Sequence, residues 1–280
     1  MTTSALVSQE WLEKNIDDSN IFLLEIAGLG QGQKQSYNAG HLPGAHCWDW
    51  QTMLWDNLKR DFPSPEDFSE RMQSFGINKN TTVIIYGEPM QFGVYAWWTF
   101  RYCGHNNVKI LDGGKNLWVE KGGSLSISVP QIRQRSIYPN NDRIEHIRTH
   151  RDQVLSSLSD PNCILIDGRS REEFQGLRVG APGNPDTGAL RYGRIPGAKH
   201  LMFEDLLNPD KSFRTLNEIK ELFKIVGIKE DKSIITYCRM SHRATVLFFA
   251  LTEIADYKNV KVYDGSWTEW GNLVGAPIER

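Results

Sequence analysis

The sequence has few of the features that mark secreted, membrane-spanning or nucleic-acid-binding proteins. Its 280 residues contain only four cysteines, none in Cys-x-x-Cys spacing, which argues against a disulfide scaffold and against a zinc site. No apolar run approaches the roughly 18 residues needed to cross a bilayer, and the first residues lack the pattern of a signal peptide. The formal net charge of −2 is far from the concentrated basic charge that binds phosphates. We expect a cytoplasmic protein with reduced thiols that has no nucleic-acid and no membrane partner.

What the sequence does contain is an internal repeat at the scale of a whole domain. Residues 40–46 (GHLPGAH) reappear as residues 193–199 (GRIPGAK), and residues 111–114 (LDGG) reappear as residues 263–266 (YDGS), at offsets of 153 and 152 residues. A third match, Phe-Gly-Ile against Val-Gly-Ile, lies between them at an offset of 151 residues. Ordered matches at nearly one offset indicate two homologous domains rather than chance similarity of Gly-Pro turns.

Both halves have the pattern of an α/β fold. Short apolar runs such as residues 22–26 (FLLEI) alternate with segments of helical period such as residues 218–224 (EIKELFK). Strands that alternate with helices predict a mainly parallel sheet covered by helices on both faces. The stretch that follows the first half has two prolines and no sustained period, which is typical of a linker. We therefore predict a first domain at 1–125, a linker at 126–146 and a second domain at 147–280.

Cys238 lies in the most reactive setting that the sequence offers to a thiol. It follows a buried-strand pattern, residues 234–237, and precedes an apolar helical pattern. A thiol at a helix N-terminus is stabilised as an anion by the unpaired N–H groups and by the helix dipole. Arg239, His242 and Arg243 add positive or chargeable groups. Such a cysteine is expected to be a nucleophilic thiolate; the alternative is a structural cysteine at the end of a strand.

The repeat assigns no nucleophile to the first domain. By the register of the two strands, Gly87 occupies the position of Cys238, and residues 88–93 (EPMQFG) supply neither a thiol nor a cation. The ligand of a parallel sheet lies beyond the carboxyl ends of its strands, and Cys238 is at such a place. The first domain is therefore predicted to be catalytically inactive, and the second to be the catalytic domain.

These features together resemble the tandem-domain sulfurtransferases of the rhodanese superfamily, and the resemblance covers nearly the whole chain. The matching segments are residues 37–45 (YNAGHLPGA), 97–105 (WWTFRYCGH), 167–169 (DGR), 238–243 (CRMSHR) and 264–270 (DGSWTEW). The resemblance implies two tandem rhodanese-like domains, each a mainly parallel five-stranded sheet flanked by helices. It also implies that no metal or organic cofactor is needed.

The resemblance implies a reaction as well. In this family a cysteine opens a six-residue loop whose inward N–H groups stabilise a thiolate and then a persulfide. The catalytic nucleophile is then Cys238, which takes sulfur from a small-molecule donor, thiosulfate, and passes it to a thiophilic acceptor such as cyanide or a thiol. Related phosphatases resemble Cys-x5-Arg, whereas the spacing here is Cys-x4-Arg, so a phosphoryl substrate is the weaker alternative. The residues that match the loop are Cys238, Arg239, Met240, Ser241, His242 and Arg243.

The composition of the loop favours thiosulfate over 3-mercaptopyruvate, which is the alternative donor. Arg239 and Arg243 suit a dianion, whereas mercaptopyruvate-using relatives resemble Cys-Gly-(Ser/Ala)-Gly-(Val/Thr)-Thr, with little charge. Vertebrate-type thiosulfate enzymes usually have lysine where Met240 stands and glycine where Ser241 stands. One anion contact is therefore missing, and Ser241 must adopt backbone angles that glycine adopts freely. We expect His242 either to supply part of the missing charge or to be an exposed loop histidine without a role.

Arg169, in Asp167-Gly168-Arg169, matches the family arginine that reaches the substrate anion from a neighbouring strand end. We therefore expect Arg169 to bind the donor. The alternative is a pairing of Arg169 with a surface carboxylate, Glu172 or Glu173. Arg171 is a weaker candidate of the same kind.

A protein relay is a different class of function. Rhodanese-like domains can hand the persulfide sulfur to a protein partner that carries a thiol, in which case thiosulfate turnover is incidental. An intact cysteine loop suits both a small-molecule enzyme and a relay, so the sequence leaves both hypotheses open.

Overall fold

The structure, a computed structural model, describes residues 5–28 and 31–280. These residues form two units. The first runs to Ile144 and includes Pro209–Ser212, and the second comprises Glu145–Asn208 and Phe213–Arg280. Each unit is built on a five-stranded sheet, and the boundary after Ile144 falls inside the segment predicted as a linker.

The first unit is a parallel sheet flanked by helices, as predicted. Its strands run in the spatial order β1-β5-β4-β2-β3, and neighbouring strands of this sheet pair in parallel. All of β2 is buried, as expected for a strand of a sheet that is covered on both faces. The strands are β1 (Leu6–Val7), β2 (Ile21–Ala27), β3 (His46–Asp49), β4 (Thr82–Glu88) and β5 (Val108–Leu111), and the helices are α1 (Gln9–Asn15), α2 (Gln31–Ala39), α3 (Trp50–Leu54), α4 (Pro65–Ser74), α5 (Met90–Tyr102) and α6 (Gly114–Glu120).

The second unit repeats this topology strand for strand. Its order, β6-β10-β9-β7-β8, has the same arrangement as the first sheet, and its pairings are also parallel. The strands are β6 (Arg148–Thr149), β7 (Cys163–Asp167), β8 (Lys199–His200), β9 (Ser233–Tyr237) and β10 (Val260–Tyr263), the α-helices are α7 (Arg151–Ser157), α8 (Arg171–Phe174), α9 (Leu216–Val226), α10 (His242–Phe249) and α11 (Ser266–Trp270), and short 3-10 or π turns cover Glu145–Ile147, Phe203–Leu206 and Ala250–Ile254.

The segment after α6 has no regular structure and packs along the first unit. Residues 127–144 contain no helix or strand. The Arg133 guanidinium donates to the Ser19 carbonyl at 2.9 Å, and the Tyr138 hydroxyl lies 2.9 Å from Nδ1 of His105. This segment is therefore held by side-chain contacts rather than by a backbone ladder.

The central strand of the second sheet leads directly to the cysteine. β9 lies between β7 and β10, and Ile234 and Ile235 are buried in it. α10, which follows, is buried along most of its length, and its Thr245 N–H donates to the Ser241 carbonyl at 2.9 Å. A buried strand and a buried helix thus fix both ends of the intervening loop. None of the helices in the described part of the chain has the length and apolar character that a bilayer crossing requires.

Candidate active site

Cys238 opens a tight loop at the carboxyl end of β9. Four residues, 238–241, separate the strand from α10, and the Cys238 side chain is 1% exposed. This is the edge of a parallel sheet at which ligands bind. The N-terminus of α10 also directs its unpaired N–H groups and positive dipole end towards the loop. A small anion that reaches the sulfur would meet both.

The first turn of α11 holds the beginning of this loop. The Cys238 N–H donates to the Ser266 hydroxyl at 3.2 Å, and the Trp267 N–H donates to the Cys238 carbonyl at 3.0 Å. Thr268 donates to the Arg239 carbonyl from its N–H at 3.0 Å and from its hydroxyl at 2.8 Å. The backbone on both sides of the sulfur is therefore fixed by residues 266–268.

The last loop position, Arg243, is held by a buried carboxylate on α8. Its two terminal nitrogens donate to the two oxygens of Glu173 at 2.6 and 2.8 Å, a bidentate geometry that is the strongest form of this pair. Burial opposes the charge of Arg243, but the bonds to Glu173 and the attraction of Cys238 outweigh it and raise the Arg243 pKa. Arg243 therefore remains a cation close to the sulfur.

Glu173→Gln should destabilise the protein at neutral pH but not at low pH. Burial opposes the charge of Glu173, yet the hydrogen bonds and charge of Arg243 lower the pKa of Glu173 below its ordinary value. A carboxylate with a lowered folded-state pKa stabilises the fold above the unfolded-state pKa, and that contribution is lost as the pH falls through the folded-state pKa. We expect a loss of about 2 kcal/mol in unfolding free energy at pH 7, measured by denaturant unfolding.

The exposed neighbour Glu172 provides the matched control for this prediction. Glu172→Gln should leave the unfolding free energy within about 0.5 kcal/mol of the parent at both pH values. A difference between Glu173→Gln and the parent that is equally large at pH 7 and at pH 3 would contradict the ion-pair interpretation.

Arg239 contacts the glycine- and proline-rich excursion at residues 176–192. Its terminal nitrogen Nη2 donates to the Thr187 carbonyl at 2.6 Å. The guanidinium also lies close to Gly188, since a Cβ added to Gly188 would be 2.7 Å from Nη2 of Arg239. The excursion itself is anchored by Arg191, which donates to the carbonyls of Trp270 and Ala276 at 2.8 and 2.7 Å. The excursion therefore borders the cysteine loop, and Arg239 connects the two.

The three remaining loop residues occupy different environments. Met240 is half-buried, while Ser241 is fully buried and has a φ of +64°, the left-handed conformation that the resemblance to glycine-containing loops predicts. His242 is 7% exposed and begins α10. His242 is therefore not an exposed loop residue, and its contribution of charge to the site stays a prediction.

Arg169 lies just beyond the end of β7, the strand next to β9, and takes part in a buried ion pair. It is fully buried, and its Nε and Nη2 atoms donate to the Asp167 carboxylate, the shortest bond being 2.7 Å. Nη2 also donates to the Gly193 carbonyl at 2.7 Å, and the guanidinium lies 4.5 Å from the Trp267 ring centroid. The partner of Arg169 is thus Asp167 rather than Glu172 or Glu173, and Nη1 of Arg169 is buried without a hydrogen-bond partner among the described residues. Donor binding by Arg169 stays a prediction. Arg171 is exposed on α8.

Sequence reasoning missed the residues that hold the loop. Glu173 was considered only as a surface carboxylate, and Ser266 and Thr268 were part of a matching segment without an assigned role. A signal for Ser266 exists in the repeat, because the equivalent residue of the first domain is Gly114. Thr187 carried no signal, since it contributes only a backbone carbonyl.

Among residues 5–28 and 31–280 no group of three His, Cys, Asp or Glu side chains is arranged to hold a metal ion.

The equivalent place in the first unit has no room for a side chain. A Cβ on Gly87 would lie 2.2 Å from the Gly93 nitrogen and 2.8 Å from the Pro89 carbonyl oxygen. Only Pro89 separates the end of β4 at Glu88 from the start of α5 at Met90, so no loop like 238–241 is formed. Backbone packing therefore occupies the volume that a thiol would need.

Comparisons with known proteins agree with this arrangement. A model of the rhodanese-like domain matches the chain twice, at residues 8–121 and 150–273. The sulfur carrier protein TtuD of Thermus thermophilus is 40% identical over 280 residues, with 98% of this chain and 96% of that protein aligned. A protein of Haloferax volcanii that carries the provisional name thiosulfate sulfurtransferase is 38% identical, with 98% and 96% aligned. Among solved structures, the anaerobic ergothioneine biosynthesis enzyme from Chlorobium limicola has a TM-score of 0.86 at 24% identity over 98% of this chain and 70% of that chain, a likeness of fold.

Proposed function

This chain belongs to the rhodanese-like family, and on that premise we propose that it is a sulfurtransferase that moves the outer sulfur of thiosulfate to a thiophilic acceptor through a persulfide on Cys238. The observation that carries the proposal is the position of Cys238. It is the cysteine that opens the loop between β9 and α10, with its backbone fixed by residues 266–268 and with Arg243 held beside it as a cation.

The proposed reaction has two steps, and each is a displacement at sulfur. The Cys238 thiolate attacks the outer sulfur of thiosulfate, a new S–S bond forms, and the old S–S bond breaks with its electron pair leaving on sulfite. The product is a Cys238 persulfide anion. Cyanide or a thiolate then attacks the outer sulfur of the persulfide and bonds to it, while the S–S bond to Cys238 breaks with its electron pair leaving on the Cys238 sulfur. The acceptor departs as thiocyanate or as a new persulfide, and Cys238 is again a thiolate. This is covalent catalysis with ping-pong kinetics.

The residues of the loop support specific parts of this reaction. The N–H groups at the start of α10 suit a sulfur atom that stays anionic as thiolate and as persulfide. Arg243 supplies a fixed positive charge, and Arg239 and Met240, which follow Cys238 in the loop, are half-buried. Because Cys238 is almost completely buried, we expect only a slender donor or acceptor group to reach it. The first domain supplies no nucleophile at the equivalent place, since Gly87 leaves no space for a side chain.

We expect thiosulfate to be a better donor than 3-mercaptopyruvate. The two arginines of the loop favour a dianion, and one charged hydrogen bond is worth about 1.5–3 kcal/mol, so kcat/KM should be at least about tenfold larger for thiosulfate. Steady-state kinetics with cyanide as acceptor provide the measurement. In Arg239→Gln, kcat/KM should fall more for thiosulfate than for mercaptopyruvate. The reverse ranking of the two donors in the parent protein would refute the assignment of thiosulfate.

A protein relay is the second candidate, and the 40% identical relative named a sulfur carrier protein favours it. In a relay, the persulfide sulfur passes to a protein thiol faster than to cyanide. The two can be separated by loading Cys238 with labelled sulfur and following a single turnover with cyanide or with a reduced protein thiol at equal concentration. A relay predicts the larger rate constant for the protein, and an enzyme for small molecules predicts the larger rate constant for cyanide.

A further inference from the structure

Ser241 occupies a strained position in the loop. It is fully buried and has a φ of +64°, a conformation that glycine adopts freely and other residues adopt only at a cost. It is the residue that precedes α10, yet its side chain makes no capping hydrogen bond to that helix. The hydroxyl of Ser241 therefore serves some other contact.

That contact is a hydrogen bond to a buried carboxylate. The Ser241 hydroxyl lies 2.8 Å from Oδ1 of Asp264 and 2.7 Å from the Met240 carbonyl oxygen. A hydroxyl has one proton to donate, and the carboxylate is the stronger acceptor because a charged partner roughly doubles the strength of the bond. Asp264 is 2% exposed and directly follows β10. The bond thus ties the middle of the cysteine loop to the end of a neighbouring strand.

The charge of Asp264 is balanced from the next strand. Oδ2 of Asp264 lies 3.3 Å from Nη2 of Arg148, and both side chains are less than a tenth exposed. Arg148 begins β6, which pairs with β10 at the edge of the sheet. The negative charge of a buried carboxylate next to the loop would repel a thiolate on Cys238. The positive charge of the Arg148 guanidinium offsets this repulsion.

We propose that Ser241, Asp264 and Arg148 form a positioning chain for the cysteine loop. In this chain Ser241 fixes the loop in the left-handed conformation, and Arg148 keeps the anchoring carboxylate from repelling the thiolate and the persulfide. The inference rests on the proposed function of Cys238 as the sulfur-carrying nucleophile. It gives a reason for serine at a position where glycine would be free of strain: the serine hydroxyl makes a bond that glycine cannot make.

Two substitutions of Ser241 separate positioning from stability. Ser241→Ala keeps the strain and loses the bond, so it should lower both the melting temperature and the rate of sulfur transfer. Ser241→Gly relieves the strain, so its melting temperature should stay close to that of the parent while kcat falls about tenfold and the KM for thiosulfate changes little. A Ser241→Gly protein with the parent kcat would overturn the positioning role.

The charge balance is tested with a probe that does not require thiosulfate. The charged or titratable side chains of the loop and of the elements around it include Arg239, His242, Arg243, Glu173, Asp264 and Arg148, the Asp167–Arg169 pair at the end of β7, Tyr237 of β9, and Tyr263 of β10 with its hydrogen-bond partner Glu269 of α11. Alkylation of Cys238 by iodoacetamide reports the thiolate across a range of pH. Arg148→Gln removes the positive charge that lies 3.3 Å from Asp264, so the alkylation profile should move to higher pH and the rate at pH 7 should fall about threefold to tenfold.

The double variant Arg148→Gln/Asp264→Asn removes both charges, so its alkylation profile should return towards that of the parent. Arg151→Gln removes an exposed arginine that pairs with Asp152 and should leave the profile in place, which makes it the matched control. An unchanged profile in Arg148→Gln, or a double variant that is no better than the single one, would overturn the inference. A parent protein that alkylates normally but gains no sulfur from thiosulfate would instead count against the proposed function.

Discussion

Replacing Cys238 by serine is expected to abolish the sulfur that thiosulfate treatment adds to the intact protein. The parent should gain about 32 Da, the mass of one sulfur atom, as a persulfide. A serine hydroxyl in the same loop cannot form a stable S–S bond, so the gain should vanish and kcat for thiocyanate formation should fall by at least about 10³-fold. Intact-protein mass spectrometry and a cyanide assay measure the two effects on the same sample.

The other cysteines provide controls for this experiment. Burial raises the pKa of Cys47 to about 11 and raises the pKa of Cys163 above its ordinary value, so neither thiol is ionised appreciably at neutral pH. Cys163 lies in the same unit, at the start of β7, which makes Cys163→Ser the closest match. It should keep both the mass gain and the turnover. Sulfur loading that persists in Cys238→Ser, or that disappears in Cys163→Ser, would refute the assignment of the nucleophile.

The repeat made the topology of the site predictable from the sequence. Tyr86 and Tyr237, which precede Gly87 and Cys238, occupy the same place in their sheets. Each hydroxyl accepts an N–H bond at 3.2 Å, from Leu42 in one unit and from Ile195 in the other. Leu42 and Ile195 are themselves matched in the repeat. The predicted register is therefore confirmed down to individual hydrogen bonds, because a shared topology places equivalent residues in equivalent contacts.

The side-chain pairs around the loop could not be predicted in the same way. Glu173 and Arg243 are 70 residues apart, and Arg239 and Thr187 are 52 apart. The spacing of apolar residues along the sequence indicates which face of a helix or strand is buried. It does not indicate which buried charged side chains pair with each other. The excursion at 176–192 has no period at all, and its position depends on contacts such as those of Arg191 with distant carbonyls.

Arg169 shows how such a pairing changes an expectation. A motif match placed an arginine at a strand end near the nucleophile, and a free guanidinium there would bind an anion. The carboxylate that takes most of its hydrogen bonds is only two residues away, at Asp167. Burial opposes the charge of Arg169, but Asp167 outweighs burial and raises the Arg169 pKa above its ordinary value. Arg169 therefore remains a cation inside the domain, and we expect its chief effect to be on stability.

Arg169→Met should consequently cost about 3–5 kcal/mol of unfolding free energy, because it leaves the Asp167 carboxylate buried without its counter-charge. Denaturant unfolding measures this loss. Arg169→Lys keeps the charge but loses the planar fork, so it should lose part of that stability while its KM for thiosulfate stays at the parent value. Arg171→Met, on the exposed face of α8, is the matched control and should change neither quantity.

The double variant Arg169→Met/Asp167→Asn removes the uncompensated charge together with its partner, so it should be more stable than Arg169→Met alone. Non-additivity of this kind is the signature of a buried ion pair, and a residue that only binds substrate does not produce it. If Arg169→Lys instead raised the KM for thiosulfate several-fold and left the unfolding free energy unchanged, Arg169 would be a donor ligand. The structure would then have to open around the guanidinium during turnover, since the side chain has no exposed surface.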